Sequence, residues 1–377
     1  MGMNGENMLD KMEIFFDASR AVPPSNYALE AFTPYKETYW CTPKFSHSLS
    51  EKAASETAKL WEPIFELVQA SSTSSVITGD FRQLFEKLIY HTYFTKALLE
   101  GKTHFFVSSK KPFAVLWDQL EKSGCFVFEI PKKEGVYDYG LLEKHLNQKT
   151  ALVVADWAEP FSGLMQPIEE LAFLCEKKEV DLYVNATHVV GKMLLLMEEL
   201  PITFLQFDAA FLQSPIAISL FFTKGKHPFA KDFEDRYIPL SHLSVFSACA
   251  RQALLQLDQF SLEMARIKSE FERKLVEALP SCEKVCLSSY NLPHVSLFYF
   301  PKILTKTLAY FLNEKKVYIA EELPSLKELL AESKWAEKFP FIVSFSFSKN
   351  TTLKEIETAI SRICEQVKTL QKLTEDL

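Results

Sequence analysis

The chain has 377 residues, of which 47% are hydrophobic and 24% charged, a composition that is typical of globular proteins and excludes a disordered chain. Domains usually hold about 100–200 residues, so the length predicts two of them. The formal net charge of −7 argues against nucleic acid or an anionic membrane as a partner, because either would require a basic surface.

Signatures of membrane insertion, secretion and metal binding are missing from the sequence. No apolar run reaches the roughly 18–20 residues that span a bilayer. The opening residues, MGMNGENMLDKMEIFF, lack the positive start and the small-residue cleavage site of a secretory signal. The seven cysteines are odd in number and scattered, which fits neither a disulfide framework nor a zinc site. We therefore expect a cytoplasmic protein with reduced thiols and no metal.

Glycine is scarce, with ten residues in the chain against an average usage of about 7%. Glycine supplies the tight turns and close backbone approaches of phosphate-binding loops. Neither G-x-G-x-x-G nor G-x-x-x-x-G-K-[ST] occurs, so the dinucleotide-binding and P-loop classes are set aside.

Between residues 75 and 224, short apolar runs alternate with helical patterns. The runs predict strands at 75–78, 104–109, 125–130, 150–156, 181–186, 207–212 and 216–223. The segments between them predict helices at 81–96, 112–122, 139–147 and 168–178. Near-continuous apolar strands separated by helices are typical of a mostly parallel sheet covered on both faces, so the predicted fold class is α/β.

The pattern changes after about residue 226. A long helix is predicted at 241–279, followed by strands at 294–300, 317–320 and 341–347 and a helix at 303–314. Thr352 and Glu355 form a capping box ahead of a closing helix in which Ile356, Ile360 and Ile363 recur at helical spacing. We predict a large α/β domain over 1–240, with an N-terminal arm, and a smaller α+β domain over 241–377 that the long helix joins to it.

The order of these segments resembles the fold-type I, class V aminotransferases, and most closely the cysteine desulfurases of the NifS/IscS kind. The stretch IFFDASRAVPPSNYALEAFTPY (14–35) resembles the first strand and turn of that family. The block TALVVADWAEPFSGLMQPIEELAFLCEKKEVDLYVNATHVVGK (150–192) resembles its sheet centre, and TTLKEIETAI (351–360) its last helix. The resemblance implies a fold-type I architecture, a homodimer with active sites at the interface, and pyridoxal 5′-phosphate as cofactor.

The residues that the resemblance assigns to the cofactor ring depart from the family pattern. Asn185 stands where an aspartate normally pairs with the pyridine nitrogen, and a neutral amide offers no negative charge to keep that nitrogen protonated. His188 replaces a glutamine contact. Pro112 replaces the histidine that stacks on the ring. These three changes predict weaker binding of the pyridine ring of the cofactor.

The residues at the phosphate-binding and Schiff-base positions also depart from the family pattern. Asp80, followed by Phe81, places a carboxylate where the family loop binds phosphate. The chain passes from Gln213 and Ser214 directly toward the next strand, so that about half a dozen family residues and the Schiff-base lysine are absent. The segment 317–330 contains no cysteine where the family has its mobile nucleophile loop. Ser344 replaces the arginine that holds the substrate carboxylate.

These departures predict a desulfurase-like protein without cofactor or catalytic residues, kept as a binding or scaffold homologue. One alternative is an active pyridoxal-phosphate enzyme with a displaced lysine, for which the candidates are Lys192, Lys224 and Lys226. Another is a cofactor-independent enzyme that uses Glu159, Asn185 and His188 for acid–base chemistry. The apolar faces of 26–70 and 241–279 predict a homodimer, and a protein partner is a further expectation.

Any remaining pocket is expected beyond the carboxyl ends of the strands, where ligands bind in open α/β sheets. We expect it to be small, polar and weakly acidic. Its predicted lining residues are Asp80, Glu159, Asn185, His188 and Gln213. Phenylalanines at 81, 161 and 211 are expected to fill part of the vacated space.

Overall fold

The computed structural model describes residues 12–71, 73–231, 233, 238–288, 290–331 and 333–375. Residues 1–11, most of the stretch searched for a secretory signal, lie outside this range. The described residues form two compact units, a larger one within 23–158 and 166–257 and a smaller one within 12–22, 159–165 and 258–375. The predicted boundary at 240/241 instead marks the start of a helix, and the division between the units falls inside that helix.

The strands and helices follow the chain in this order. The strands are β1 (Ile14–Phe15), β2 (Ser75–Gly79), β3 (His104–Val107), β4 (Phe126–Glu129), β5 (Lys132–Lys133), β6 (Val136–Tyr137), β7 (Thr150–Asp156), β8 (Asp181–Asn185), β9 (Phe204–Asp208), β10 (Ser219–Thr223), β11 (Glu283–Lys284), β12 (Val295–Tyr299), β13 (Val317–Tyr318) and β14 (Ile342–Ser346). The helices are α1 (Asn26–Thr38), α2 (Ser48–Val68), α3 (Phe81–Thr92), α4 (Leu98–Glu100), α5 (Ala114–Lys122), α6 (Tyr139–His145), α7 (Ile168–Lys177), α8 (Pro228–Lys231), α9 (Leu240–Ala278), α10 (Thr305–Glu314), α11 (Pro324–Leu330) and α12 (Leu353–Glu375).

A seven-stranded sheet in the order β2-β10-β9-β8-β7-β3-β4 forms the centre of the larger unit. Only β10 runs antiparallel to its neighbours, so the predicted mostly parallel sheet is confirmed. Successive side chains of a strand point to opposite faces. Phe222 of β10 therefore contacts Phe65 of α2, while its neighbour Phe221 lies in a separate core with residues of α3 and α5. Helices thus cover both faces.

The predicted strand at 207–212 is wrong beyond its second residue. Strand β9 begins earlier, at Phe204, and ends at Asp208, and residues Ala209–Leu212 form a 3₁₀ turn. The Asp208 carboxylate accepts the Ala210 N–H at 2.9 Å, and an aspartate that bonds the backbone two residues on starts a turn. The apolar run 207–212 therefore spans the end of a strand and a 3₁₀ turn, and only its first two residues belong to the strand.

The smaller unit contains the antiparallel sheet β11-β12-β14 and the short parallel pair β1-β13. Its core is aromatic, with Phe16, Phe271 and Phe345 in mutual contact. The predicted capping box is present at the start of α12, where the Thr352 N–H donates to the Glu355 carboxylate and the Glu355 N–H donates to Thr352 Oγ1. Within the described residues, no helix is long and apolar enough to cross a membrane.

Candidate functional site

Polar side chains gather at the carboxyl edge of the seven-stranded sheet in the larger unit. Strands β3, β7, β8, β9 and β2 all run in the same direction, so the residues that end or follow them lie along one edge. We call this set the edge cluster: Ser108, Asp156, Asn185, Asp208 and Asp80. Three of the five are carboxylates, which makes this edge acidic.

Asn185 and Asp156 lie directly opposite each other on adjacent strands. Asn185 Nδ2 donates to Asp156 Oδ1 at 2.9 Å, and Asn185 Oδ1 accepts the Thr187 N–H at 3.1 Å. Ser108 Oγ donates to the other Asp156 oxygen. Both ends of the Asn185 amide and both oxygens of Asp156 therefore have partners within the unit.

Asp80 caps helix α3. Its Oδ1 accepts the Gln83 N–H at 2.9 Å, and its backbone is extended as an N-cap requires. The pKa of the nearby Asp208 carboxyl is raised, chiefly because that group is buried and in part because Asp80 adds negative charge. The helix terminus that the resemblance assigns to phosphate is thus occupied by a protein carboxylate.

Gln213 and Ser214 form a tight turn between β9 and β10. Gln213 adopts a positive φ of 63°, and its carbonyl accepts the Ser25 N–H at 2.9 Å. Ser214 Oγ accepts the Ile216 N–H and donates to the Ile216 carbonyl. Strand β10 begins at Ser219, whereas the sequence predicts a strand from residue 216.

His188 and Lys192 follow β8 on one short turn. The imidazole of His188 packs edge-on against the Phe211 ring at 4.7 Å, and burial lowers its pKa to about 3. Lys192 Nζ donates to the His188 carbonyl at 2.9 Å, and burial lowers the pKa of this ammonium to about 7. The histidine is therefore neutral at physiological pH, and the lysine is partly neutral.

Pro112 and Phe81 each contribute a backbone carbonyl to a hydrogen bond. Pro112 is exposed within a 3₁₀ turn, and its carbonyl accepts from Arg82. The carbonyl of Phe81 accepts from Gln206 Nε2 at 3.0 Å.

Glu159 belongs to the smaller unit, whereas Asp80, Asn185, His188 and Gln213 belong to the larger one. Its buried carboxylate accepts from the Phe161 N–H, from the Ser162 N–H and hydroxyl, and from the Ser325 hydroxyl. Four donors saturate the two oxygens. Glu159 thereby joins the loop 159–165 to helix α11.

Helix α11 occupies the segment where the resemblance places a mobile loop. Leu326 and Leu330 are buried in a cluster with Phe161 and Trp335 of the same unit. Ser344, at the position of the family arginine, donates its hydroxyl to the Phe161 carbonyl at 2.6 Å. The segment is a packed element of the core.

The sequence did not identify Ser108, Asp156 or Asp208 as members of the site. A carboxylate that ends a predicted strand, as in TALVVAD, was a signal available for Asp156. No cluster of three or more metal-ligating side chains occurs in the part of the chain that the structure describes.

Comparisons with known proteins agree with this architecture. A solved NifS-like protein superposes with a TM-score of 0.82 over 95% of this chain and 100% of its own, at 18% identity. The aminotransferase class-V family pattern matches residues 15–226, more than half of the sequence. The chain belongs to the class V aminotransferase family.

Within that family the chain is cysteine desulfurase-like. It is 22% identical over 233 residues to the cysteine desulfurase IscS of Ehrlichia chaffeensis, a match that covers 60% of this chain and 55% of that relative. The chain thus spans about half the length of this relative. The cysteine desulfurase IscS of Dechloromonas aromatica is 21% identical, with 97% of this chain and 95% of the relative covered.

Proposed function

We propose that this protein is a desulfurase-like homologue that no longer uses pyridoxal phosphate and acts as a non-catalytic binding or scaffold protein. The single observation that carries this proposal is the Asp80 carboxylate on the first turn of α3. A phosphate there would lie against a fixed negative charge and in the field of Asp208.

The magnitudes favour exclusion of a phosphate. At ~4 Å and an effective dielectric near 20, a pair of like charges costs roughly 4 kcal/mol before screening. The favourable field of a helix N-terminus contributes only about 0.3–1 kcal/mol. Asp80 also takes one of the terminal amides that a phosphate would use.

The residues at the family positions for the cofactor ring and aldehyde do not match these groups either. The Asn185 amide is bonded to Asp156 and Thr187, and it carries no charge to offset a protonated pyridine nitrogen. The turn at Gln213 and Ser214 supplies no lysine. The residues present therefore do not fit pyridoxal phosphate at its phosphate, its ring nitrogen or its aldehyde.

The substrate side supports the same conclusion. Desulfurase chemistry requires a mobile nucleophile, whereas α11 contains no cysteine and is held by buried leucines and by Glu159. The serine hydroxyl of Ser344, bonded to a carbonyl, offers no charge to a substrate carboxylate. A binding or scaffold role needs neither group.

Lys192 favours one alternative, an active enzyme with a displaced lysine. A lysine can attack an aldehyde only as the neutral amine, and burial lowers the pKa of Lys192 to about 7. Lys192 as a whole is only 7% exposed, however, and its Nζ donates to the His188 carbonyl. Lys192 is therefore the residue to examine first if cofactor binding is observed.

Incubation of the purified protein with pyridoxal phosphate and cysteine tests the proposal. We expect no sulfide release and no aldimine absorbance after desalting. Retained cofactor with sulfide release would restore the desulfurase. Retained cofactor that disappears in Lys192→Ala would support the displaced lysine.

A further inference from the structure

Strand β4 lies at a free edge of the seven-stranded sheet in the larger unit. It pairs only with β3, and its buried Val127 belongs to the same hydrophobic core as Trp117 of α5. A free edge offers unpaired N–H and C=O groups to other chains, and natural proteins usually protect it with charges, prolines or a covering element. Residues 126–128, Phe-Val-Phe, contain neither a charge nor a proline.

The backbone of β4 alternates between bonds to β3 and groups that point outward. The N–H groups of Phe126 and Ile130 donate to carbonyls of β3 and its N-terminal neighbour at 2.9 and 2.8 Å. Alternate residues of a strand bond to opposite sides, so the N–H and C=O groups of Val127 and Glu129 point away from β3. Among the described residues, no acceptor takes either of these two N–H groups. Residues two apart on a strand are about 6.6 Å apart, a spacing that fits an extended partner chain.

Two phenylalanines form an exposed aromatic surface beside these outward groups. Phe126 and Phe128 are 55% and 42% exposed, and their rings are nearly parallel, with an interplanar angle of 8°. They lie against β3, where the centroid of the His104 ring is 5.5 Å from that of Phe126, and the centroid of Phe106 is 5.3 Å from that of Phe128. Because aromatic and other apolar cross-strand pairs stabilise a sheet, this surface is already formed for the side chains of an added strand.

The stretch 100–149, which contains β3, α5 and β4, is basic, although the whole chain has a net charge of −7. Three ion pairs are neutral, namely Lys102–Glu100, Lys110–Glu121 and Lys177–Glu143. The other charged residues of the stretch sum to +2, with Lys111, Lys122, Lys132, Lys133, Lys144 and Lys149 against Asp118, Glu129, Glu134 and Asp138. A second copy of this chain would bring the same charge to the edge and be repelled, whereas an acidic segment is attracted.

We propose that the free edge of β4 binds an extended acidic segment of another protein, which adds to the seven-stranded sheet as a further strand. The backbone of that segment bonds the outward groups of Val127 and Glu129, and its alternate apolar side chains lie on Phe126 and Phe128. This surface contains no residue of the edge cluster, and a cofactor-dependent enzyme could use it equally well. Failure of either proposal therefore leaves the other intact.

Fluorescence anisotropy with the full chain and a labelled peptide of sequence EVTFTVE tests the site. We expect saturable 1:1 binding that is at least tenfold tighter than that of the peptide KVTFTVK. N-methylation of one alternate set of peptide amides should abolish binding and methylation of the other set should not, because only one set faces β4. Absence of saturable binding, equal binding of the two peptides, or equal effects of the two methylation patterns would overturn the proposal.

Two variants locate the site. Glu129→Pro removes an outward N–H, which an edge strand tolerates, and should weaken binding at least tenfold even though it makes the edge more positive. Glu129→Ala keeps that N–H and is the matched control, with binding at least as tight as that of the wild type. Phe128→Thr should also weaken binding at least tenfold, with Phe173→Thr, at an exposed phenylalanine of α7, as its control.

Circular dichroism of each variant checks that it is folded. Unchanged affinity in both Glu129→Pro and Phe128→Thr would show that the peptide binds elsewhere and would contradict the assignment.

Discussion

The Asp80 carboxylate accepts the Gln83 N–H at 2.9 Å, and so a residue of the chain satisfies the helix terminus that would otherwise attract an anion. A side-chain cap stabilises the helix permanently, whereas a bound phosphate stabilises it only when present. A carboxylate at position 80 can therefore both exclude an anionic ligand and stabilise the fold when no ligand is bound.

Replacement of Asp80 by alanine should lower the free energy of unfolding by about 1 kcal/mol, the usual value of an N-cap. Urea unfolding measures this difference. Asp138→Ala removes the equivalent cap of α6, where Asp138 accepts the Leu141 N–H at 2.9 Å, and should cost a similar amount. A fully stable Asp80→Ala protein with a destabilised Asp138→Ala would show that Asp80 is not a cap in solution.

Replacement of Glu159 by glutamine should destabilise the protein by at least about 2 kcal/mol, because hydrogen bonds to charged groups contribute about 1.5–3 kcal/mol each. The amide would also place a donor against the donors of Ser162 and Ser325. Hydrogen exchange should accelerate in α11, since Ser325 loses its acceptor. Glu337→Gln, at an exposed site, is the control; equal stability of the two variants would contradict the structural role of Glu159.

The buried Lys192 should make stability depend on pH. Its folded pKa of about 7 lies below the usual lysine value of about 10.4. Between these values the unfolded chain binds a proton that the folded chain lacks, so the free energy of unfolding should rise with pH, by at most about 1.4 kcal/mol per pH unit.

Lys192→Met removes the contribution of this lysine to the pH dependence of the free energy of unfolding. The variant should exceed the wild type in stability at pH 7, and the advantage should shrink as the pH approaches 10. Urea unfolding at several pH values gives the comparison, with Lys224→Met, at an exposed lysine, as the control. An advantage that stays constant from pH 7 to pH 10 would mean that Lys192 titrates normally.

The apolar side chains left exposed on residues 26–70 predict a homodimer. Tyr27, Leu29, Trp40, Phe45 and Leu49 are each at least 46% exposed. Groups of exposed apolar residues usually mark interaction surfaces. Sedimentation at micromolar concentration should show a dimer, and Trp40→Asp should shift it toward monomer. A wild-type monomer would indicate that another partner covers this segment.

The sequence predicted the order of the elements well, because long apolar runs and capping residues act locally. The closing helix and its Thr352–Glu355 box illustrate this. The sequence alone could not predict that β10 lies between β2 and β9, because strand order depends on contacts between residues that are distant in the chain. The same limitation hid the Asn185–Asp156 pair, whose members are 29 residues apart, and the bond from Ser325 to Glu159.

Cofactor stoichiometry is the most direct measurement of the central claim. The purified protein is incubated with pyridoxal phosphate, desalted, reduced with borohydride and mapped by mass spectrometry. We expect far less than one cofactor per chain, spread over exposed lysines, because Asp80, Asn185 and the turn at Gln213 each remove one contact and independent losses add. One retained cofactor per chain on a single lysine would contradict the account.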